Sequence, residues 1–290
     1  MANFVVDHDE RLRRPAGIRS ISLGDTRVSF VPDGAVQGRP RRWLPATTDE
    51  VWADHSEYLD ASGYLVASIG GLLVERGDRA MLIDAGFGPQ AVPAQPGTAN
   101  GAIFGGALLD SLAELGRSAA EIEAVAFTHL HVDHLGWAGR STPGTGRPAF
   151  AQASYLVSEP EWAHRDLEAG DTTELAPRVR TVADGQEIFP GVRVQLTGGH
   201  TVGHTQYVIT GGRTRLIAFG DAMHSPMQVD HPEWSCVYDH DLARSADHRR
   251  RLLAELEQPD TIGFGNHFAD VVFGQVRRDG DAPAWRPLDG

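Results

Sequence analysis

One nine-residue segment constrains this chain more than any other: residues 128–136, Thr-His-Leu-His-Val-Asp-His-Leu-Gly. Four ligand-type side chains, His129, His131, Asp133 and His134, fall within six positions, directly after the short apolar run 125–128. His129 and His131 are two apart, so an extended backbone points them the same way. Asp133 and His134 follow as the chain turns, which lets them face a second ion beside the first. A solvated polar loop is the plain alternative. At this chain's own His and Asp frequencies, however, the pattern His-x-His-x-Asp-His arises by chance in roughly one such sequence in five hundred. A metal site built on the end of a strand is the better reading.

Three more ligand types repeat that context. His200 follows the apolar-to-glycine stretch at 196–199, Asp221 ends the apolar run 216–220, and His267 follows the run at 262–266. Each is weak alone. Together with the first segment they supply five imidazoles and two carboxylates, a donor set suited to two adjacent ions of zinc type with positions left open for water.

Composition narrows the partners. Acidic residues outnumber basic ones 39 to 26, for a net charge of −13, and every basic residue is Arg. Such a chain is a poor match for polyphosphate surfaces, so no nucleic-acid partner is expected. Anionic membranes would repel it. The lone Cys236 excludes a disulfide framework and a cysteine-based zinc module. The first residues show no basic-then-apolar leader, and no apolar run reaches the roughly 18 residues of a membrane span. The expectation is a cytoplasmic protein acting on a small molecule.

Strand patterns are read at 18–23 and 27–31 as a hairpin, then at 64–75, 80–84, 125–128, 155–157, 192–196, 206–209, 216–219, 261–264 and 271–276. Helical patterns fall at 107–115 and 242–256, and Ser118 and Ser158 have the form of helix caps. Loose alternation with many hairpins predicts an α+β fold of sheets covered by helices. Residues 1–290 read as one domain, with 1–17 as an N-terminal arm. Segment 39–55, carrying Trp43 and Trp52, is a candidate lid. Trp137, Phe104 and Phe268 flank the ligand segments or the Gly-rich stretch 86–106 and are candidates for lining an apolar pocket. His204 is assigned to a place behind the ligands. His8, His55, His164, His231, His240 and His248 are expected at the surface, and Arg249-Arg-Arg251 as a solvated helix face. No Gly-x-Ser-x-Gly elbow or Walker loop is present.

With these motifs in this order, the sequence resembles the metallo-β-lactamase-fold hydrolase superfamily in its dinuclear form. The resemblance implies an αββα sandwich with the metal site at one edge of the two sheets. It implies that His129, His131 and His200 bind one metal, that Asp133, His134 and His267 bind the other, and that Asp221 bridges them. Asp84, in Leu-Ile-Asp-Ala-Gly at 82–86, matches the family's Asp-Thr-Gly element with Ala85 in place of Thr, and orients the ligands. Segments 132–137, 151–156 and 220–226 are similar to the branch of quorum-quenching lactonases and methyl parathion hydrolases, in which homodimers are common. His224 stands where lactonases of the best-known type carry a Tyr. The implied chemistry is hydrolysis. Two divalent ions (zinc, or manganese, iron or cobalt) lower the pKa of a shared water, Asp133 shuttles a proton, and His224 bonds the carbonyl or leaving group. An acyl-homoserine-lactone-like lactone is the first expected substrate. A phosphotriester or aryl ester is the alternative, followed by a β-lactam or thioester.

Overall fold

The computed structural model describes residues 8–168, 172–280 and 282–289. Within the N-terminal arm, residues 1–7 lie outside the described part, and His8–Leu12 is a short helix. The strands of the first sheet are β1 (Arg19–Leu23), β2 (Thr26–Gly38), β3 (Leu65–Arg76), β4 (Arg79–Ile83), β5 (Ala91–Val92), β6 (Asn100–Phe104), β7 (Ala124–Ala126), β8 (Ser154–Ser158) and β9 (Val179–Val182). Those of the second are β10 (Glu187–Phe189), β11 (Val192–Leu196), β12 (Thr205–Gly211), β13 (Thr214–Ala218), β14 (Thr261–Phe264), β15 (Phe273–Asp279) and β16 (Ala282–Pro287). The first sheet runs β5-β6-β2-β3-β4-β7-β8-β9, with β1 paired to β2, and the second runs β10 to β16 in chain order.

The near-continuous apolar runs have a direct cause. Each central strand is covered on both faces, so successive residues feed different cores. In β3, Leu72 and Val74 pack between the sheets while Leu73 turns outward, and in β4 Met81 and Ile83 pack inward while Leu82 turns outward. β13 does the same with Leu216 and Ala218 against Ile217. The outer face of the first sheet is covered by the helix Leu108–Glu114, whose Leu108 and Leu112 are buried. That of the second is covered by Leu242–Leu256 through Leu252, Leu253 and Leu256. The result is helix, sheet, sheet, helix, the expected αββα sandwich.

Three strand pairs set the chemistry: β4 with β7, β7 with β8, and β13 with β14 are parallel. Asp84 follows β4, the 129–134 segment follows β7, Asp221 follows β13 and His267 follows β14. These carboxyl ends therefore open on the same edge. His200 joins them from the turn between β11 and β12.

Segment 39–55 differs from the expected lid. It folds into two short helices, Pro40–Trp43 and Asp49–Asp54, and Trp43 and Trp52 are buried in a local core with Val36, Leu65 and Ile69. The indole N–H of Trp52 donates to Thr47 Oγ1 at 2.8 Å. Two buried tryptophans and paired backbone make this a packed wall. Patterning does not mark the short strands β5, β6, β9, β10 and β16. Among the described residues no helix is long and apolar enough to cross a membrane.

Candidate metal centre

All seven predicted ligand residues come together at the sheet edge. They form two groups, one of His129, His131, His200 and Asp221 and one of Asp133, His134 and His267; within each, the ligand atoms lie within 4.8 Å of one another. In the first group His131 Nδ1 is 3.0 Å from His129 Nε2 and 3.1 Å from His200 Nε2. Asp221 Oδ2 is 3.4 Å from His200 Nε2 and 3.7 Å from His129 Nε2. The other oxygen, Asp221 Oδ1, is 3.2 Å from both His134 Nε2 and His267 Nε2. Asp133 Oδ2 closes that group at 3.5 Å from His267 and 3.9 Å from His134. One carboxylate thus turns one oxygen to each group.

These separations can be tested against an ion. Four donors held tetrahedrally at about 2.0–2.1 Å from zinc stand about 3.4 Å apart. The observed 3.0–3.9 Å brackets that edge length in both groups. His134 Nε2 and Asp221 Oδ1 are moreover buried without a hydrogen-bond partner although only 3.2 Å apart. Orphaned buried polar atoms are costly unless something between them supplies the missing interaction. A cation does so. The residues present fit two divalent ions.

The remaining nitrogens of four of these rings are fixed from behind. His267 Nδ1 is 2.8 Å from Ser68 O, a carbonyl that can only accept, so Nδ1 carries the proton and Nε2 presents its lone pair. His134 Nδ1 donates to Asp84 Oδ2 at 2.9 Å, and His200 Nδ1 to Asp239 Oδ1 at 2.9 Å. His129 Nδ1 donates to Thr128 Oγ1 at 3.0 Å, whose hydroxyl donates on to Asp84 Oδ2 at 2.8 Å. Asp84 holds this post at φ +61°, a strained conformation for a non-glycine residue of the kind retained at functional sites. Gly220 sits at φ +52°, where a Cβ would approach His204 Nε2 to 2.8 Å, so Asp221 needs a glycine before it. His204 Nε2 accepts the Asp221 backbone N–H at 3.1 Å, which places His204 behind the ligands.

The charges follow from burial and from neighbours. Burial opposes ionisation of Asp221, but the surrounding imidazoles, His267 and His134 foremost, hold its carboxyl well below the usual range. Burial and the adjacent His134 push His129 well down, and burial brings His200 down to about 4, so both rings are neutral donors at neutral pH. Burial works against protonation of His134 as well, yet Asp221, Asp84 and Asp133 outweigh it and raise that ring. Burial likewise disfavours the charged form of His224, and Cys236 and Asp221 overcome it.

A cavity of about 210 Å³ opens onto the ligands. Val36, Trp43, Ile103 and Val132 give it an apolar wall, and Asn100 and Tyr238 stand on it as polar groups. His224 lines it too, with Nε2 3.2 Å from Asp221 Oδ2. The three aromatics expected in the pocket lie elsewhere. Trp137 is buried in the outer core of the first sheet and donates its indole N–H to Asp33 Oδ1 at 2.8 Å. Phe268 packs edge-on against Phe219 and Trp285 in the opposite core. Phe104 is half-exposed on β6, while its neighbour Ile103 faces the cavity.

Two other expectations fail. His248 is buried, not at the surface. Arg249 is wholly buried and donates to Asp239 Oδ2 at 3.1 Å, to Ala222 O and to Pro232 O. Sequence reading also missed the supports. Asp239 fixes His200. Glu161, marked only as part of a helix start, ties the two ligand loops together by accepting Leu130 N–H at 3.0 Å, Gly203 N–H at 3.0 Å and the Thr201 hydroxyl at 2.7 Å.

Residues 71–265 match the family model described as the metallo-beta-lactamase superfamily. The chain belongs to that superfamily. Among curated relatives, the N-acyl homoserine lactonase AiiA of Bacillus thuringiensis subsp. kurstaki is 24% identical over 208 residues, covering 67% of this chain and 79% of the relative. An N-acyl homoserine lactonase of Bacillus cereus is 22% identical over the same share. Among solved structures, AidC, a dizinc quorum-quenching lactonase in complex with its product, superposes with a TM-score of 0.78 at 22% identity, covering 96% of this chain and 99% of that one. The hydrolase AbOPH, of the beta lactamase superfamily, gives 0.76 at 24% identity with the same coverage. The expected αββα fold is shared by these neighbours, and the relatives are metal-dependent hydrolases of one superfamily.

Proposed function

We propose that this protein is a dinuclear metal-dependent hydrolase that opens a lactone of the acyl-homoserine-lactone type. The reading is carried by Asp221, whose Oδ2 faces His129 and His200 of the first group with His224 beside them, and whose Oδ1 faces His134 and His267 of the second. His129, His131 and His200 would hold one ion and Asp133, His134 and His267 the other, with Asp221 shared. Zinc suits this set of imidazole and carboxylate donors. When bound, the two cations supply Lewis acidity toward an ester carbonyl and make water more acidic. The relatives support the substrate class, since three of the four described above are lactonases.

The chain's own residues do the rest. The cavity wall of Val36, Ile103 and Val132 takes an acyl arm and excludes water from it. His224 stands where its Nε2 can donate to the substrate carbonyl or to the leaving oxygen. Asp133 is the most exposed carboxylate of the site, at 18% against 4% for Asp221, and so is the group able to carry a proton between water and the leaving alkoxide. Water's oxygen ends in the new carboxylate, the ring C–O bond breaks, and one proton reaches the alcohol while the other is released. A phosphotriester or aryl ester is the second reading, favoured by an imidazole, His224, beside Asp221 in the cavity.

The test is a pH-stat assay of metal-quantified protein on a long-chain acyl-homoserine lactone, with His131→Ala as control. Acid release by the wild type alone, with about two metals per chain, supports the proposal. No release from fully loaded enzyme sinks the lactone reading.

A further inference from the structure

One residue of the cavity has its orientation settled by chemistry. Trp43 Nε1 lies 2.8 Å from Asn100 Oδ1, and an indole N–H can only donate, so the atom it meets must be the amide oxygen. The Tyr238 hydroxyl donates to the same oxygen at 3.1 Å. Both donors come from separate segments, the wall helix Pro40–Trp43 and the loop before the helix Leu242–Leu256, and they clamp β6 between them. With its oxygen doubly engaged, Asn100 has its amide nitrogen left over. That nitrogen has no partner among the described residues, and the residue lines the same cavity as His224 and the ligands.

Its surroundings define what it can serve. The neighbouring wall is apolar, formed by Val36, Ile103 and Val132. A fixed N–H donor on such a wall rewards an acceptor oxygen at one point of an otherwise apolar arm, and penalises an arm that lacks it.

We propose that Asn100 is a specificity-determining residue that donates from Nδ2 to an acceptor oxygen, of the amide-carbonyl type, on the substrate's acyl arm, with Trp43 and Tyr238 acting as positioning residues that prevent the amide from flipping. This assignment rests on the lactone reading above and adds the part of the substrate that is not hydrolysed. It separates α-acylamino lactones from α-alkyl lactones of equal length, which present the same ring to the metals and the same carbons to the wall.

The experiment compares those two substrates on metal-loaded wild type, Asn100→Asp and Trp43→Phe. Asn100→Asp keeps acceptors for Trp43 and Tyr238 while removing the donor. Trp43→Phe keeps the apolar wall but frees the amide to turn. In wild type kcat/KM favours the acylamino lactone. In each variant that preference falls about five- to tenfold, the value of one directed hydrogen bond, mainly through KM of the acylamino lactone, with the metal content equal. Affinity for the corresponding γ-lactams, read by calorimetry without turnover, falls in parallel for the acylamino compound only. Equal losses on both lactones, or an unchanged preference in both variants, overturn the assignment of Asn100 alone. Hydrolysis of neither lactone by loaded wild type overturns the lactone reading, and this assignment with it.

Discussion

The sharpest test of the site's construction is Asp239→Asn. Asp239 is wholly buried, and its two oxygens divide the work. Oδ1 accepts from His200 Nδ1, and Oδ2 accepts from Arg249 Nη1 and from the Cys236 backbone N–H. Burial alone would raise this carboxyl, but the His200 hydrogen bond and the His200, His224 and Arg249 charges bring it down to about 2. Because the folded value lies below the ordinary 3.8, the ionised group stabilises the fold above that pH, and the contribution is lost as pH falls toward 2. The shift is worth about 2–3 kcal/mol at most. An amide cannot reproduce it. With its oxygen toward His200 the NH₂ meets two donors; turned round, it forces His200 to carry its proton on Nε2, the atom that faces Asp221. Arg249 is also left without its carboxylate, which brings the expected loss to about 3–5 kcal/mol. For a chain of this size the unfolding entropy is about 0.6 kcal/mol/K, so the melting temperature should fall by about 5–8 °C. Loss of an orienting partner costs about 10–100-fold in metal affinity. Calorimetry and competition with a chelator read both quantities. A variant with wild-type melting and wild-type metal affinity would refute the reasoning.

The other predictions concern single groups. His131→Ala and Asp221→Ala should each lose bound metal and all measurable hydrolysis, as seen by elemental analysis alongside the pH-stat; a fully active, metal-loaded His131→Ala enzyme contradicts the ligand assignment. His224→Ala should keep its metals while kcat falls about 10²-fold, as for a lost general acid, and the substrate range changes. His248 is pushed down to about 4 by burial and by Arg251, Arg249 and Arg244. It is therefore neutral in the fold and takes up its proton only on unfolding between about pH 4 and its ordinary 6.5. Stability then drops on acidification, by about 2 kcal/mol from this group at pH 5. His248→Gln should flatten the melting curve against pH in that window, and an unchanged slope would show that another group sets it.

The parts of this protein legible in its sequence are those that reside in one segment or one strand end. His129, His131, Asp133 and His134 declare themselves because local spacing carries their geometry, and His200, Asp221 and His267 because each stands where an apolar run stops. The supporting groups are written differently. Asp239, Ser68 and Glu161 reach the ligand loops from 39, 199 and 31 residues away. Nothing local distinguishes them from ordinary polar residues. Arg249 was nevertheless open to detection. Ser245, Arg249, Leu252, Leu253 and Leu256 recur at helical spacing on the buried face of one helix, so the middle of a polar-looking run points inward. The aromatics show the converse error, since nearness in sequence to a ligand says nothing of direction. Trp137 follows His134 by three residues yet turns to Asp33 in the core, while Trp43, remote in the chain from every ligand, stands edge-on to His224 at 6.0 Å between ring centroids. A ligand set can be read from spacing because the ion imposes it. A cavity wall cannot, because it is assembled from whichever faces the two sheets leave over once their cores are filled.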